Sequence, residues 1–184
     1  MNTNHSLGSE IHSIVADNLR LIPDFPTEGV VFQDVTPLFA NGPDFSRLVS
    51  LLADRYRGKI DMVAGLESRG FILAAPLAAE LRVGMLAIRK AGKLPGPVEG
   101  IDYTLEYGTG RLEIQPSTVD KNARVLVIDD VLATGGTAWA AVELLRRCGA
   151  EPYEIAVLLE LMALGGRERI DGVPVLSAVE VRDY

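Results

Sequence analysis

The 184-residue sequence predicts an α/β fold with a mostly parallel central sheet flanked by helices. Strand-like and helix-like segments alternate from residue 60 onward, which is the pattern of strands joined by helical crossovers. Val125–Ile128 is an uninterrupted apolar run, as in strands buried on both faces of a parallel sheet. Gly70–Arg82 is long, apolar and alanine-rich, and so suits a helix packed on such a sheet. The length fits one domain over residues 1–184, which at this size buries roughly 70% of its unfolded surface. Residues 1–22 form an arm and first helix, and a short helical piece is expected at each end.

In order along the chain, His12–Leu21 carries Ile14, Val15, Leu19 and Leu21 at broadly helical spacing, and Pro23 closes it. Pro23, Pro26, Gly29 and Pro37 punctuate a long connection around the short apolar stretch Val30–Phe32. A second helix opens at Gly42 and Pro43, has Asp44 in its first turn, and runs to about Arg57. Ile60–Leu66 and Val83–Ile88 read as strands on either side of the Gly70–Arg82 helix. Ala91–Asp102, with three glycines and two prolines, reads as a long loop of the kind that is usually functional. Tyr103–Tyr107 and Arg111–Ile114 flank a Gly108–Gly110 turn as a hairpin. After Val125–Ile128 a helix is expected over Thr137–Cys148, with Gly149 as its left-handed cap. Tyr153–Leu161 and Pro174–Val179 supply the last strands.

Composition narrows the function classes. Eighteen basic against 25 acidic residues give a formal charge of −7 and a pI near 4.9, which disfavours nucleic acid and anionic membrane as partners. The single Cys148 excludes an internal disulfide and a cysteine zinc cluster, and it sits where packing is the commoner fate. Only His5 and His12 are available for histidine chemistry, both near the start of the chain. No apolar run reaches the length of a membrane span, and Met1–Glu10 lacks the layout of a signal peptide, so a cytoplasmic location is expected.

The strongest chemical signal is Val125-Leu126-Val127-Ile128-Asp129-Asp130-Val131-Leu132-Ala133-Thr134-Gly135-Gly136-Thr137. A buried strand ends in two carboxylates, and a loop of small residues then opens a helix. Ligands of open α/β sheets sit at such strand ends. The glycines allow close backbone approach, and free N–H groups at the helix start suit a phosphate, aided by the Thr134 and Thr137 hydroxyls. The loop holds no lysine, so a monophosphate fits better than a triphosphate. Asp129 and Asp130 point to opposite sides of the strand and call for sugar hydroxyls or a cation. A solvated Asp-Asp turn capping a helix is the plainer alternative. A second signal is basic: Arg82, Arg89, Lys90 and Lys93 fall between Leu81 and Val98 with no acidic residue among them, in an acidic chain. They could collect a pyrophosphate with Arg69, or form a solvated basic face.

At these residues the sequence resembles the purine/pyrimidine phosphoribosyltransferase family. Further segments narrow the resemblance to its adenine branch: Asp24-Phe25-Pro26-Thr27, Gly29-Val30-Val31-Phe32, Asp34-Val35-Thr36-Pro37 and Glu67-Ser68-Arg69-Gly70-Phe71. Ile88-Arg89-Lys90, Gly92-Lys93-Leu94-Pro95-Gly96, Leu105-Glu106-Tyr107-Gly108 and Leu112-Glu113-Ile114 continue it in order, from about Pro23 to Arg169. The resemblance implies the type I phosphoribosyltransferase fold, with a flexible hairpin loop over the active site. It also implies transfer of a 5-phosphoribosyl group from phosphoribosyl pyrophosphate to adenine, giving AMP and pyrophosphate, with magnesium carried mainly by the phosphoribosyl pyrophosphate, in a homodimer.

Carried over residue by residue, the resemblance places the 5′-phosphate on Ala133, Thr134, Gly135, Gly136 and Thr137, and the ribose hydroxyls on Asp129 and Asp130. It places pyrophosphate on Ser68, Arg69, Arg89, Lys90, Lys93 and Tyr107, and a cis peptide between Glu67 and Ser68. Adenine falls to backbone groups of Val31, Phe32 and Gln33, with Phe32 stacking on the ring. Glu106 moves a proton at the adenine N7, and Tyr107 belongs to the lid. Gln33 departs from the family, which usually carries arginine there. Taken singly, Phe32 is also an ordinary core aromatic, and Glu106-Tyr107 an exposed pair on a hairpin. A transferase for another base, or a non-catalytic phosphoribosyl-pyrophosphate sensor, would share the phosphate loop. The first would lack the Phe-Pro-Thr and Leu-Glu-Tyr-Gly segments. The second would need a basic surface or an added domain to bind nucleic acid.

Overall fold

A computed structural model describes residues 6–104 and 109–182 of the chain. Helix α1 (Ser9–Asp17) leads into a two-stranded antiparallel sheet, β1 (Arg20–Pro23) with β2 (Val31–Asp34). Helices α2 (Thr36–Ala40) and α3 (Gly42–Tyr56) follow, then β3 (Met62–Leu66), α4 (Arg69–Leu81) and β4 (Gly84–Lys90). The hairpin strands β5 (Glu99–Thr104) and β6 (Thr109–Ile114) precede β7 (Arg124–Leu132), α5 (Gly136–Arg147), β8 (Glu151–Leu161) and β9 (Val175–Val181).

Seven strands form one sheet in the order β5-β6-β4-β3-β7-β8-β9. From β4 to β9 all pairings are parallel, and only the β5–β6 hairpin and its junction with β4 are antiparallel. The expected α/β fold with a mostly parallel sheet is therefore present. Because side chains alternate along a strand, β7 sends Val125 and Val127 to one face and Leu126 and Ile128 to the other. Helix α5 fills the first face with Ala140, Ala141, Leu144 and Leu145. Helices α1, α3 and α4 cover the second with Val15, Leu48, Leu52, Leu73 and Leu77. No helix among the described residues is long and apolar enough to cross a membrane.

Local chemistry accounts for the element ends. The Asn41 side chain accepts from the Asp44 amide at the head of α3, with Pro43 in the first turn. Gly149 adopts φ +85° just beyond α5, the left-handed exit its sequence position anticipates. Cys148 packs against the α5-side core, and burial pushes its thiol up.

Five expectations need correction. The first helix is Ser9–Asp17 rather than His12–Leu21. Asn18 ends it by donating back to the Ile14 carbonyl and across to Asp44, after which Arg20–Pro23 extend to pair with β2, leaving Leu21 exposed. Pro37 opens the short helix α2 instead of punctuating a loop, because buried Asp34 accepts from both the amide and the hydroxyl of Thr36. The end of the expected 91–102 loop is strand β5, whose Ile101 and Tyr103 are buried opposite β6. Gly110 lies inside β6 opposite Tyr103 rather than in the turn, and Gly108 lies outside the described residues. The chain closes on β9 rather than a helical piece; the 3-10 turns Met162–Leu164 and Gly166–Arg169 come before it.

Candidate active site

The C-terminal ends of β3, β4 and β7 lie side by side in the sheet, and Ser68, Arg69, Arg89, Lys90, Asp129, Asp130 and the Ala133–Thr137 loop lie at or just beyond them. Arg69 begins α4 directly after β3. It approaches β7 because its neighbour is glycine: a Cβ on Gly70 would lie 2.7 Å from the Ile128 carbonyl oxygen. The Arg69 Nε thereby reaches Asp130 Oδ2 at 2.8 Å, and its guanidinium lies 5.6 Å from the centre of the Phe32 ring. The peptide bond between Glu67 and Ser68 is cis, where the resemblance places one, and Ser68 is exposed.

Asp129 and Asp130 follow the uninterrupted buried run Val125–Ile128 of β7. Burial, and then the adjacent Asp130 charge, push the Asp129 carboxyl well above its ordinary range. Asp130 is also raised by burial, with Arg69 pulling the other way. Beyond them Ala133–Thr137 line a cleft of about 80 Å³ at the start of α5. Gly135 takes φ +77° as the N-cap, and a Cβ there would overlap the Gly166 carbonyl oxygen, so only glycine fits.

The basic residues surround a carboxylate. Glu67 Oε1 accepts from Arg89 Nη2 at 3.1 Å and Lys93 Nζ at 2.8 Å, while Oε2 accepts the Lys90 amide at 2.8 Å. Burial works against the Glu67 charge, but these donors outweigh it and hold its pKa at about 2. Arg89 also donates to the Lys93 carbonyl at 2.9 Å, which folds the 91–98 loop back over β4. Arg82 does not join the cluster: it caps the far end of α4, about 20 Å along the helix from Arg69.

Val31, Phe32 and Gln33 lie on β2 and wall a cavity of about 560 Å³. Pro26, Thr27 and Val30 continue the wall, with Arg69, Val131, Ala133, Leu161 and Leu164 on the other sides. Phe25 meets Phe32 edge-on at 5.2 Å and fixes the ring. Val131 and Ala133 border both the cavity and the phosphate-loop cleft, so the two are adjoining compartments. Strand β2 pairs only with β1 among the described residues, leaving backbone groups along its other edge. Glu106 and Tyr107 lie outside the described residues.

Two buried side-chain atoms lack an aligned hydrogen-bond partner among the described residues: Arg89 Nε and Asp130 Oδ2. The first is a donor suited to an anion; the second is an acceptor suited to a hydroxyl, since the short Arg69 contact is off the hydrogen-bond line. No group of three or more histidine, cysteine or acidic side chains among the described residues forms a metal cage. Asp129 and Asp130, on opposite sides of the strand, could each offer at most one carboxylate to a cation that takes its other ligands from substrate and water.

Sequence reasoning missed Leu161, Leu164 and Val131 in the cavity, the role of Glu67 as the centre of the basic cluster, and Gly166 behind the phosphate loop. Glu67 and Gly166 carried readable signals, since a lone acid precedes Ser68-Arg69 and Gly165-Gly166 breaks the chain after β8. Leu161 and Leu164 carried none, being ordinary apolar residues placed by topology.

Comparison with known proteins identifies the fold and the family. Residues 44–180 match the phosphoribosyl transferase domain model. The adenine phosphoribosyltransferase of Roseiflexus sp. (strain RS-1) is 50% identical over 167 residues, covering 90% of this chain and 97% of that protein. The crystal structure of adenine phosphoribosyltransferase from Thermoanaerobacter pseudethanolicus superposes with a TM-score of 0.87 at 40% identity, covering 92% and 99% of the two chains. That from Saccharomyces cerevisiae, complexed with an imino-altritol bisphosphate and adenine, gives 0.86 at 37% identity over 92% and 98%. With a type I phosphoribosyltransferase fold, a matching domain over most of its length and half its residues shared with such a relative, the chain belongs to the adenine phosphoribosyltransferase family.

Proposed function

We propose that this chain transfers the 5-phosphoribosyl group of phosphoribosyl pyrophosphate to adenine, releasing AMP and pyrophosphate. The observation that carries the reading is a pair of buried atoms without an aligned hydrogen bond: an acceptor at Asp130, ion-paired with Arg69, and a donor at Arg89 in the basic cluster. One wants a sugar hydroxyl and the other an anion, and phosphoribosyl pyrophosphate offers both on one molecule.

In this reading the backbone N–H groups and hydroxyls of Ala133–Thr137 hold the 5′-phosphate, and Asp129 and Asp130 accept from the ribose hydroxyls. Arg69, Arg89, Lys90 and Lys93, with Ser68 and Tyr107, receive the pyrophosphate. Glu67 keeps the cations gathered before the substrate arrives. Adenine lies against Phe32 in the 560 Å³ cavity, read by the free edge of Val31–Gln33. Backbone groups tell an amino from an oxo substituent, so the glutamine at position 33 leaves base selection intact.

The C1′–oxygen bond to pyrophosphate breaks as adenine N9 forms its bond to C1′, through an oxocarbenium-like state. The leaving pyrophosphate takes the bonding electrons, and the basic cluster neutralises its growing charge. Glu106 accepts the proton from adenine N7 as N9 attacks. Magnesium, carried with the phosphoribosyl pyrophosphate, supplies further neutralisation of its charge. A cytoplasmic, single-domain homodimer completes the proposal.

The test offers adenine, hypoxanthine, guanine and orotate side by side, with magnesium and phosphoribosyl pyrophosphate. AMP as the only nucleotide formed is the expected result. A nucleotide of another base would overturn the base assignment, and no product despite bound phosphoribosyl pyrophosphate would make the chain a sensor.

A further inference from the structure

We infer that the buried Glu160–Arg167 pair is a positioning device for the phosphate loop, acting through the backbone of Gly166; this rests on the 5′-phosphate reading of Ala133–Thr137. Glu160, on β8, is only 2% exposed. A carboxylate that deep persists only when paired, and an apolar pair would often serve stability equally well, so its presence asks for a geometric reason.

Arg167 answers with a complete fork. Its Nε donates to Glu160 Oε1 at 2.9 Å, its Nη2 to Glu160 Oε2, and its Nη1 to the Val175 carbonyl. One guanidinium thus ties the end of β8 and the start of β9 to the 3-10 turn that carries it. Gly166, the preceding residue, faces the phosphate loop with no side chain between. A Cβ on Gly166 would overlap the Ala133 carbonyl oxygen and lie 2.9 Å from the Gly135 nitrogen. A Cβ on Gly135 would in turn overlap the Gly166 carbonyl. The loop therefore rests backbone to backbone on a turn whose place is set by Arg167. Neither Glu160 nor Arg167 lines the phosphate cleft or the larger cavity, so their influence passes through Gly166.

The experiment titrates the purified full chain with ribose 5-phosphate and, separately, with pyrophosphate and magnesium. The double variant Glu160→Gln with Arg167→Met removes both buried charges together, so neither is left uncompensated. Circular dichroism checks its fold. Ribose 5-phosphate affinity should fall about 10- to 100-fold, the scale of a small misplacement at a binding loop, while pyrophosphate affinity stays within about two-fold. Should the double variant not fold, Arg167→Lys, which keeps the charge but not the fork, is read by the same titrations. Unchanged ribose 5-phosphate affinity in a folded variant, or equal loss of both ligands, would overturn the inference. Failure of the wild-type chain to bind ribose 5-phosphate would instead remove the phosphate-loop reading beneath it, and the inference with it.

Discussion

Replacing Gly70 by alanine tests whether the close approach of α4 to β7 builds the site. The added Cβ would meet the Ile128 carbonyl oxygen at 2.7 Å and Asp129 Oδ1 at 3.1 Å. The first contact falls 0.7 Å short of the 3.4 Å at which ordinary contact begins, and its partner is backbone in a central strand. The head of α4 must therefore move, carrying Arg69 away from Asp130. Overpacking of this kind costs about 1–3 kcal/mol, partly offset by up to about 1 kcal/mol of helix propensity. For a chain of this length the midpoint of thermal unfolding should fall by up to about 8 °C. A shift of this size at Arg69 should lower kcat/KM for phosphoribosyl pyrophosphate by about 10- to 100-fold. Gly42→Ala is the control, because a Cβ there meets nothing within 4 Å. Differential scanning calorimetry and steady-state kinetics read both variants. If Gly70→Ala melts and turns over like Gly42→Ala, the reasoning from the close approach is wrong.

Three further predictions concern charge. Glu106→Ala should lower kcat by about 10²- to 10⁴-fold and leave phosphoribosyl pyrophosphate binding largely intact; an unchanged kcat would remove Glu106 from the mechanism. Arg69→Ala should weaken pyrophosphate and phosphoribosyl pyrophosphate by about 10- to 100-fold and AMP far less, as isothermal titration would show. Equal losses would make Arg69 a structural residue. Glu67→Gln should destabilise the fold by about 1–2 kcal/mol at neutral pH, allowing for the half-exposed Lys93 partner. Because the folded pKa of Glu67 lies below its ordinary 4.5, its stabilisation is complete above that value and fades as the pH falls toward about 2. Urea denaturation across that window should show the wild type and variant converging in acid; a widening gap would refute the assignment.

The parts of the fold visible in sequence were those in which a local pattern and the tertiary environment agree. The apolar run Val125–Ile128, the proline-headed α3 and the glycine exit from α5 all carry their structural reason within a few residues. Strand β1 was hidden because Leu21 and Ile22 fit helical spacing equally well, and only pairing with β2 settles the choice. The start of strand β5, Glu99–Asp102, was hidden by the glycines and prolines around it, since its partner lies across the hairpin. The same division runs through the site. Asp129, Asp130 and the glycine loop are contiguous and could be read directly. The cavity joins Phe32, Arg69, Val131 and Leu164 from four separate segments, a convergence that no local pattern encodes.

Arg69 joins two groups that the proposed reading assigns to different substrates, with its Nε on Asp130 and its guanidinium over Phe32. In that reading a ligand that settles this side chain from the Asp130 side also orders what lies against Phe32, and the reverse. Base and sugar-phosphate binding are then thermodynamically linked, and the linkage is reciprocal: whatever factor one ligand adds to the other's affinity is returned in full. The two substrates would thus meet a shared hinge of free energy rather than two independent seats, and the order in which they arrive would alter the path without altering the total.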